Sequence, residues 1–265
     1  MIRTSDPTKK KYSVPALEKT FLILEHLSKN GGGLSLSDLS NELKLPKTTV
    51  FSILQTLEAH NYIRKNNQGL FQLGLKLYSL GMEAYRNLNA REICLPYLKQ
   101  LWDETQFTVH LGAYDKGETV CIEKLEGPGN IRFLSYVGER KRMNTSSVGK
   151  AIAAFLPEEE LQVVISKGLE SRTPNSITNE HAFREHLTQI REFGYAVDDE
   201  EGEIGVRCLG APIFMEDGHV FGAVSLTTLK NNLPVQKFSE YSEKLMRVAE
   251  KISRSLGYSG PYPRK

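Results

Sequence analysis

The stretch Asn144-Thr145-Ser146-Ser147-Val148-Gly149-Lys150 brings an asparagine, a threonine, two serines and a lysine together. Ser147 and Lys150 fit the S-x-x-K spacing, in which a lysine takes the proton of a serine that then attacks an acyl group. The companion motifs of that chemistry, S-D-N and K-T-G, occur nowhere in the sequence. A second reading makes the same residues the start of the small-residue helix AIAAF. Free N–H groups and a partial positive charge at such a start suit a carboxylate. The plainest reading is an N-cap serine with no ligand.

A different chemistry is written between residues 47 and 65. Val50, Ile53, Leu54 and Leu57 recur at helical spacing and form a face to be buried. The opposite face carries Lys47, Thr48, Thr49, Phe51, Ser52, Gln55 and Thr56. Hydroxyls and amides can bond base edges, and Gln55 can bond an adenine bidentately. Arg64 and Lys65 precede the turn Asn66-Asn67-Gln68-Gly69, where they can meet phosphates or enter a minor groove. Lys9, Lys10 and Lys11 form a basic arm suited to the same task. The competing reading is a helical bundle used for protein contacts. Elsewhere the chemistry is thinner. Cys208 reads as a small buried side chain rather than a nucleophile. His181 and His186 are five apart, not the i, i+4 spacing of helical metal ligands, so no metal and no cofactor are expected.

The elements that must position these residues follow from periodicity. Ser13 and Pro15 open a first helix with the stripe Leu17, Phe21, Leu24 and Leu27, ended by Gly31, Gly32 and Gly33. Ser35 and Asp38 read as a capping box for a second helix. Lys44-Leu45-Pro46-Lys47 makes the turn to a third, with Pro46 at its first position. Tyr62 to Lys65 and Leu70 to Leu73 read as a two-stranded wing. Tyr78, Met82, Tyr85 and Leu88 then mark a linker helix, and Leu95, Leu98, Leu101 and Trp102 a further one. Strand-like runs at 108–114, 120–125, 131–136, 195–197, 206–214 and 220–227 alternate with helical stretches at 147–156, 158–166 and 180–193. Phe238, Tyr241, Leu245, Val248, Ile252 and Leu256 make the last helix, closed by Gly257. The mixture predicts an α+β protein: an N-terminal winged helix-turn-helix and a C-terminal antiparallel sheet with flanking helices. The expected divisions are a disordered arm at 1–12, a DNA-binding head at 13–75, a linker helix at 76–90, an effector domain at 91–257 and a tail at 258–265.

Charge follows the same division. The chain has 265 residues and a net charge of +2. Residues 1–75 hold 10 Lys and Arg against 6 Asp and Glu, so the remainder is mildly acidic. A basic head on an acidic body points to a polyanion partner for the head alone. The longest apolar run is Ala151 to Leu156, far short of a membrane span. The polar N-terminus MIRTSDPTKKKYS lacks the apolar core of a secretory signal. Cys94, Cys121 and Cys208 are widely spaced and expected to be reduced thiols in a cytoplasmic protein.

Several ordered motifs together give the sequence a family resemblance. In the head these are ALEKTFLILEHL, LSLSDLSNELKLPKTTVFSILQTLE and YIRKNNQGLFQLG. In the body they are NTSSVGKAIAAFLP, RTPNSIT, IREFGYAVDDEEGEIGVRCLGAPI and FGAVSLTTL. From about residue 13 to 257 the chain resembles the IclR (isocitrate lyase regulator) type of bacterial transcriptional regulator. The resemblance implies a winged helix-turn-helix, a linker helix and a GAF-like domain that binds a small metabolite. It also implies dimers, often paired into tetramers, on palindromic double-stranded DNA operators. Phe51 and Ser52 stand where the family often has His and Arg, so an operator sequence does not carry over. Asn144-Thr145-Ser146 replaces the family's usual His-Ala-Thr. The resemblance carries the family's effector pocket onto Ser147, Val148, Asp198, Val206, Cys208, Ser225 and Thr227. One carboxylate, three hydroxyls and helix-start N–H groups over an apolar floor suit a small hydroxylated or keto acid. The expectation is therefore a regulator that is not an enzyme and whose DNA affinity follows an organic-acid effector.

Overall fold

A computed structural model describes residues 13–86 and 89–263, and the chain divides into two compact units between Leu88 and Asn89. The arm with Lys9, Lys10 and Lys11, and the side chain of Tyr85, lie outside the described residues.

The first unit contains α1 (Pro15–Lys29), α2 (Leu36–Leu43), α3 (Lys47–Ala59), β1 (Ile63–Lys65), β2 (Phe71–Leu73) and α4 (Leu75–Arg86). Val14, not Ser13, is the N-cap of α1, and it makes no side-chain cap bond. Valine has no side-chain oxygen to accept from the N–H groups of the first turn, and Pro15 at the first position removes one of those N–H groups. α2 begins with the complete capping box: Ser35 Oγ accepts from Asp38 N–H, and the Asp38 carboxylate accepts from Ser35 N–H. The turn into α3 is held by a left-handed Lys44 (φ 54°) and by Ser40 Oγ donating to Leu45 O at 2.7 Å. Pro46 is the N-cap of α3, one position before that expected. Ile23, Leu27, Leu39, Val50, Ile53, Leu54, Leu57, Ile63 and Phe71 form one core. At about 1.5–3 kcal/mol per buried apolar side chain, the four from α3 alone fix which face of that helix is left to solvent. The wing is the antiparallel pair β1–β2, whose turn is tied by Asn66 Oδ1 accepting from Gln68 and Leu70 N–H.

The second unit contains α5 (Asn89–Thr105), β3 (Thr108–Asp115), β4 (Glu118–Leu125), β5 (Arg140–Arg142), α6 (Ser147–Ala153), α7 (Glu158–Ser166), α8 (Glu180–Phe193), β6 (Ala196–Asp199), β7 (Val206–Phe214), β8 (Val220–Leu229) and α9 (Phe238–Ser255). The helix expected over 76–90 is thus α4, ending at Arg86, and a second helix starts at Asn89. One antiparallel sheet has the order β5-β4-β3-β8-β7-β6. Leu111, Leu209, Ala211, Val224 and Leu226 are fully buried on one face, against which α5 and α9 pack.

The run 131–136 is not a strand. It lies in an irregular strap after Gly127-Pro128-Gly129. The carbonyls of Phe133 and Ser135 accept from Lys124 Nζ at 2.7 and 2.8 Å. A lysine reaching across from β4 thus binds oxygens that a strand would offer to a ladder.

Candidate functional site

Asp198, Cys208 and Thr227 from one row on the other face of the sheet, and His110 and Ser225 from the next, line the floor of a cavity of about 300 Å3. Thr108, Thr227, Cys208 and Asp198 are register partners across β3, β8, β7 and β6. The next row runs Lys124, His110, Ser225 and Gly210. Helix α6 closes the cavity from above and can do so only because two sheet positions lack side chains. A Cβ on Gly210 would lie 2.4 Å from Ser147 O, and one on Gly112 2.7 Å from the Val148 side chain. Ser146 is the N-cap of α6 and accepts the Gly149 N–H at 3.0 Å. Ser147 is therefore not the cap, and it lines the cavity.

All seven residues matched to an effector pocket, Ser147, Val148, Asp198, Val206, Cys208, Ser225 and Thr227, line this one cavity. Asp198 is buried, and its Oδ1 accepts from Glu201 N–H at 2.9 Å and Gly202 N–H at 3.3 Å. Burial pushes its carboxyl up, opposed by the Lys150 ammonium and these N–H groups. Burial also pushes the Cys208 thiol upward, with the Asp198 charge acting in the same direction. A thiolate nucleophile is disfavoured there.

Lys150 settles the S-x-x-K question. Its side chain is completely buried, and Nζ donates to Val197 O and to Glu201 Oε1, both at 2.5 Å. With its protons directed to β6 and to the loop that follows, Lys150 is not arranged as a base for Ser147.

Sequence reasoning passed over other lining residues. His110 sits in the wall with Nε2 2.8 Å from Ser135 Oγ and Nδ1 3.3 Å from Thr227 Oγ1. Burial, reinforced by Lys141 and Lys124, pushes its pKa down to about 3, so the ring is neutral. Lys141 and Arg172 bring cations to the cavity, while Glu139 and Glu203 bring anions. Phe133, Leu134 and Ser135 of the strap complete the lining. His110 stands in a strand alternating with Thr108 and Gly112, and that period was the one signal available for it.

In the first unit Lys47, Thr48, Phe51, Ser52, Gln55, Arg64 and Lys65 are exposed, and Thr49 is half-buried. Ser52 Oγ donates to Thr48 O at 3.0 Å, leaving its lone pairs for another partner. Ser52 also borders an apolar groove between α1 and α3 with Leu17, Thr20 and Thr56. Lys65 is half-exposed, 3.3 Å from Glu58 and over the Phe71 ring. Arg64 has no ion-pair partner among the described residues.

Two family models match the chain, one in its N-terminal part and one over most of the rest. Residues 16–67 match the family described as IclR helix-turn-helix domain, and residues 82–254 match Bacterial transcriptional regulator IclR C-terminal. The chain is 33% identical to the HTH-type transcriptional regulator XynR of Escherichia coli K12, over 92% of this chain and 98% of that protein. It is 32% identical to the HTH-type transcriptional repressor AllR of the same strain, over 91% of this chain and 90% of that one. Among solved structures, the Thermotoga maritima IclR is 35% identical with a TM-score of 0.70, covering 91% of this chain and 98% of its own.

Proposed function

The chain belongs to the IclR family of bacterial transcriptional regulators, and from that premise we propose that it binds its operator under the control of a small organic-acid effector. DNA-binding regulation comes with the family. Effector control is the further step, and one observation carries it: the seven matched residues converge on a single cavity of about 300 Å3, a size suited to a small metabolite. The acid's carboxylate lies at the start of α6 beside Ser147, within a cavity that Lys141 and Arg172 also line. Its hydroxyl or keto oxygen lies near Ser225 and Thr227.

The DNA-reading residues are Lys47, Thr48, Thr49, Phe51, Ser52 and Gln55 on α3, with Arg64 and Lys65 on the wing. A single cation on α3 supplies little phosphate attraction, so the binding unit is a homodimer, or paired dimers, on a near-palindromic operator. Leu17, Phe21 and Tyr78, each more than half exposed at 52%, 55% and 66%, support an apolar seam for that dimer. Among the described residues no helix is long and apolar enough to cross a membrane. A cytoplasmic regulator needs none.

Footprinting of the full-length protein on genomic DNA, with and without keto, hydroxy, aromatic and sugar acids, tests this reading. Defined protected sites whose occupancy changes with one acid are expected. No preference for any genomic fragment over random DNA at physiological salt overturns it.

A further inference from the structure

Ser135, His110, Thr227 and Cys208 form a chain of side-chain hydrogen bonds through the cavity wall, and the chain ends beside Asp198. His110 joins Ser135 of the strap to Thr227 of β8. Thr227 Oγ1 lies 3.3 Å from Cys208 Sγ. The Cys208 thiol and the Asp198 carboxyl stand side by side as register partners on β7 and β6.

Asp198 fixes the direction of the whole chain. Two backbone N–H groups donate to its carboxyl, and the charge of the Lys150 ammonium, itself bonded to Val197 O and Glu201, favours the ionised form. A carboxylate offers only lone pairs, so Cys208 gives it the S–H. The sulfur then accepts from the Thr227 O–H. The Thr227 oxygen accepts from His110 Nδ1–H. A neutral imidazole carries one proton, so Nε2 is bare and takes the O–H of Ser135. Every proton points toward Asp198, and Ser135 Oγ faces the cavity with lone pairs alone.

We propose that this one-way chain makes Ser135 the acceptor that reads a hydroxyl on the effector, so that the cavity takes a hydroxy acid in preference to the keto acid of the same skeleton. A hydroxyl donates to Ser135. A keto oxygen brings lone pairs against lone pairs. The inference rests on the acid-effector reading above and narrows it, placing the hydroxyl on the Ser135 side of His110 because the Thr227 hydroxyl is engaged by His110 and Cys208.

Nuclear magnetic resonance of the full-length protein with 15N-labelled histidine reads the His110 tautomer without any ligand. Nδ1–H is expected in the natural protein and Nε2–H in Asp198→Asn. That amide keeps Oδ1 for the two backbone N–H groups but turns an NH2 toward the thiol, reversing each bond. Nε2–H in the natural protein, or a tautomer unmoved by Asp198→Asn, overturns the chain. Calorimetry with lactate against pyruvate, 3-hydroxybutyrate against acetoacetate, and gluconate against 2-ketogluconate reads the selectivity. The hydroxy member of a bound pair is expected to bind about tenfold tighter, the worth of one hydrogen bond. The preference is expected to invert in Asp198→Asn and to vanish in His110→Leu. Cys208→Ala, which removes the acceptor of the Thr227 O–H, is expected to equalise the pair even if Asp198→Asn does not fold. Equal affinities in the natural protein, or an unchanged ratio in Cys208→Ala, overturn the selectivity. Failure of every acid to bind overturns the acid-effector reading and this selectivity with it, while the tautomer still decides the chain.

Discussion

Lys150 Nζ lies 2.5 Å from Glu201 Oε1, joining α6, which roofs the cavity, to the loop that follows Asp198 on its floor. The lysine side chain is 0% exposed and the glutamate side chain 8%. A buried pair of this kind is weak evidence for net stability, but breaking it strands a charge. Lys150→Met is therefore expected to cost about 3–5 kcal/mol. The double variant Lys150→Met/Glu201→Leu is expected to cost less than the single one. Urea denaturation of the three proteins measures this. A Lys150→Met midpoint equal to that of the natural protein would show that the ion pair does not hold α6 in place.

Stability is expected to fall in mild acid because of His110. Its folded pKa, about 3, lies below the ordinary value of 6.5. Between those two pH values the unfolded chain binds a proton that the folded protein refuses. Stability therefore rises with pH across this window, by at most about 1.4 kcal/mol per unit for this one group. His186, pushed down to about 4 chiefly by burial and then by Lys150, acts in the same sense. Denaturation at pH 7, 6 and 5 should give a shallower slope for His110→Gln than for the natural protein. Parallel slopes would remove His110 as a cause.

On the DNA side, Gln55→Ala is expected to relax specificity at defined operator positions by about 1–3 kcal/mol. Arg64→Ala should weaken all sequences alike and flatten the dependence of log affinity on log salt by about one unit. Binding isotherms on operator and random DNA at several salt concentrations separate the two. A uniform loss for Gln55→Ala would move it from base reading to backbone contact.

Lys65 adds a prediction that its exposure alone would not give. Glu58 lies 3.3 Å away and partly neutralises it. Glu58→Gln should free that cation and strengthen binding to operator and random DNA alike, with a steeper salt dependence. If Lys65 never meets a phosphate, Glu58→Gln leaves the slope where it was.

The sequence expresses these features unequally. The head was legible because its signals are local: the capping box of Ser35 and Asp38, and four apolar residues of α3 one turn apart. The strap reads as a strand because Ile131, Phe133, Ser135 and Tyr136 resemble strand residues. What decides their path is Lys124, which reaches their carbonyls only once β4 is in place. His110, Lys141 and Arg172 belong to no local pattern, and they meet only when the sheet curls and the loops after β4 and α7 return to it. Asp198 was legible as a pocket position, but its bonds to Glu201 and Gly202 depend on the loop closing beneath it.

Ser147 offers the most direct test of effector control. It lines the cavity at the first turn of α6, and its carbonyl oxygen lies 2.4 Å from where a Cβ on Gly210 would be. With no room to retreat from the sheet, Ser147→Leu should fill the carboxylate end by bulk and abolish acid binding. Ser225→Val/Thr227→Val should remove hydroxyls at the other end with little change in volume. Binding of effector and of DNA must influence each other by one shared free energy, about 1–3 kcal/mol, or a 5- to 150-fold change in operator affinity. Ser147→Leu should therefore hold the operator with the same affinity whether or not the acid is present. Operator titrations with and without the acid, beside calorimetry of the acid alone, measure both halves. An acid that binds Ser147→Leu and the double variant as tightly as the natural protein sits elsewhere, and the cavity loses its assignment.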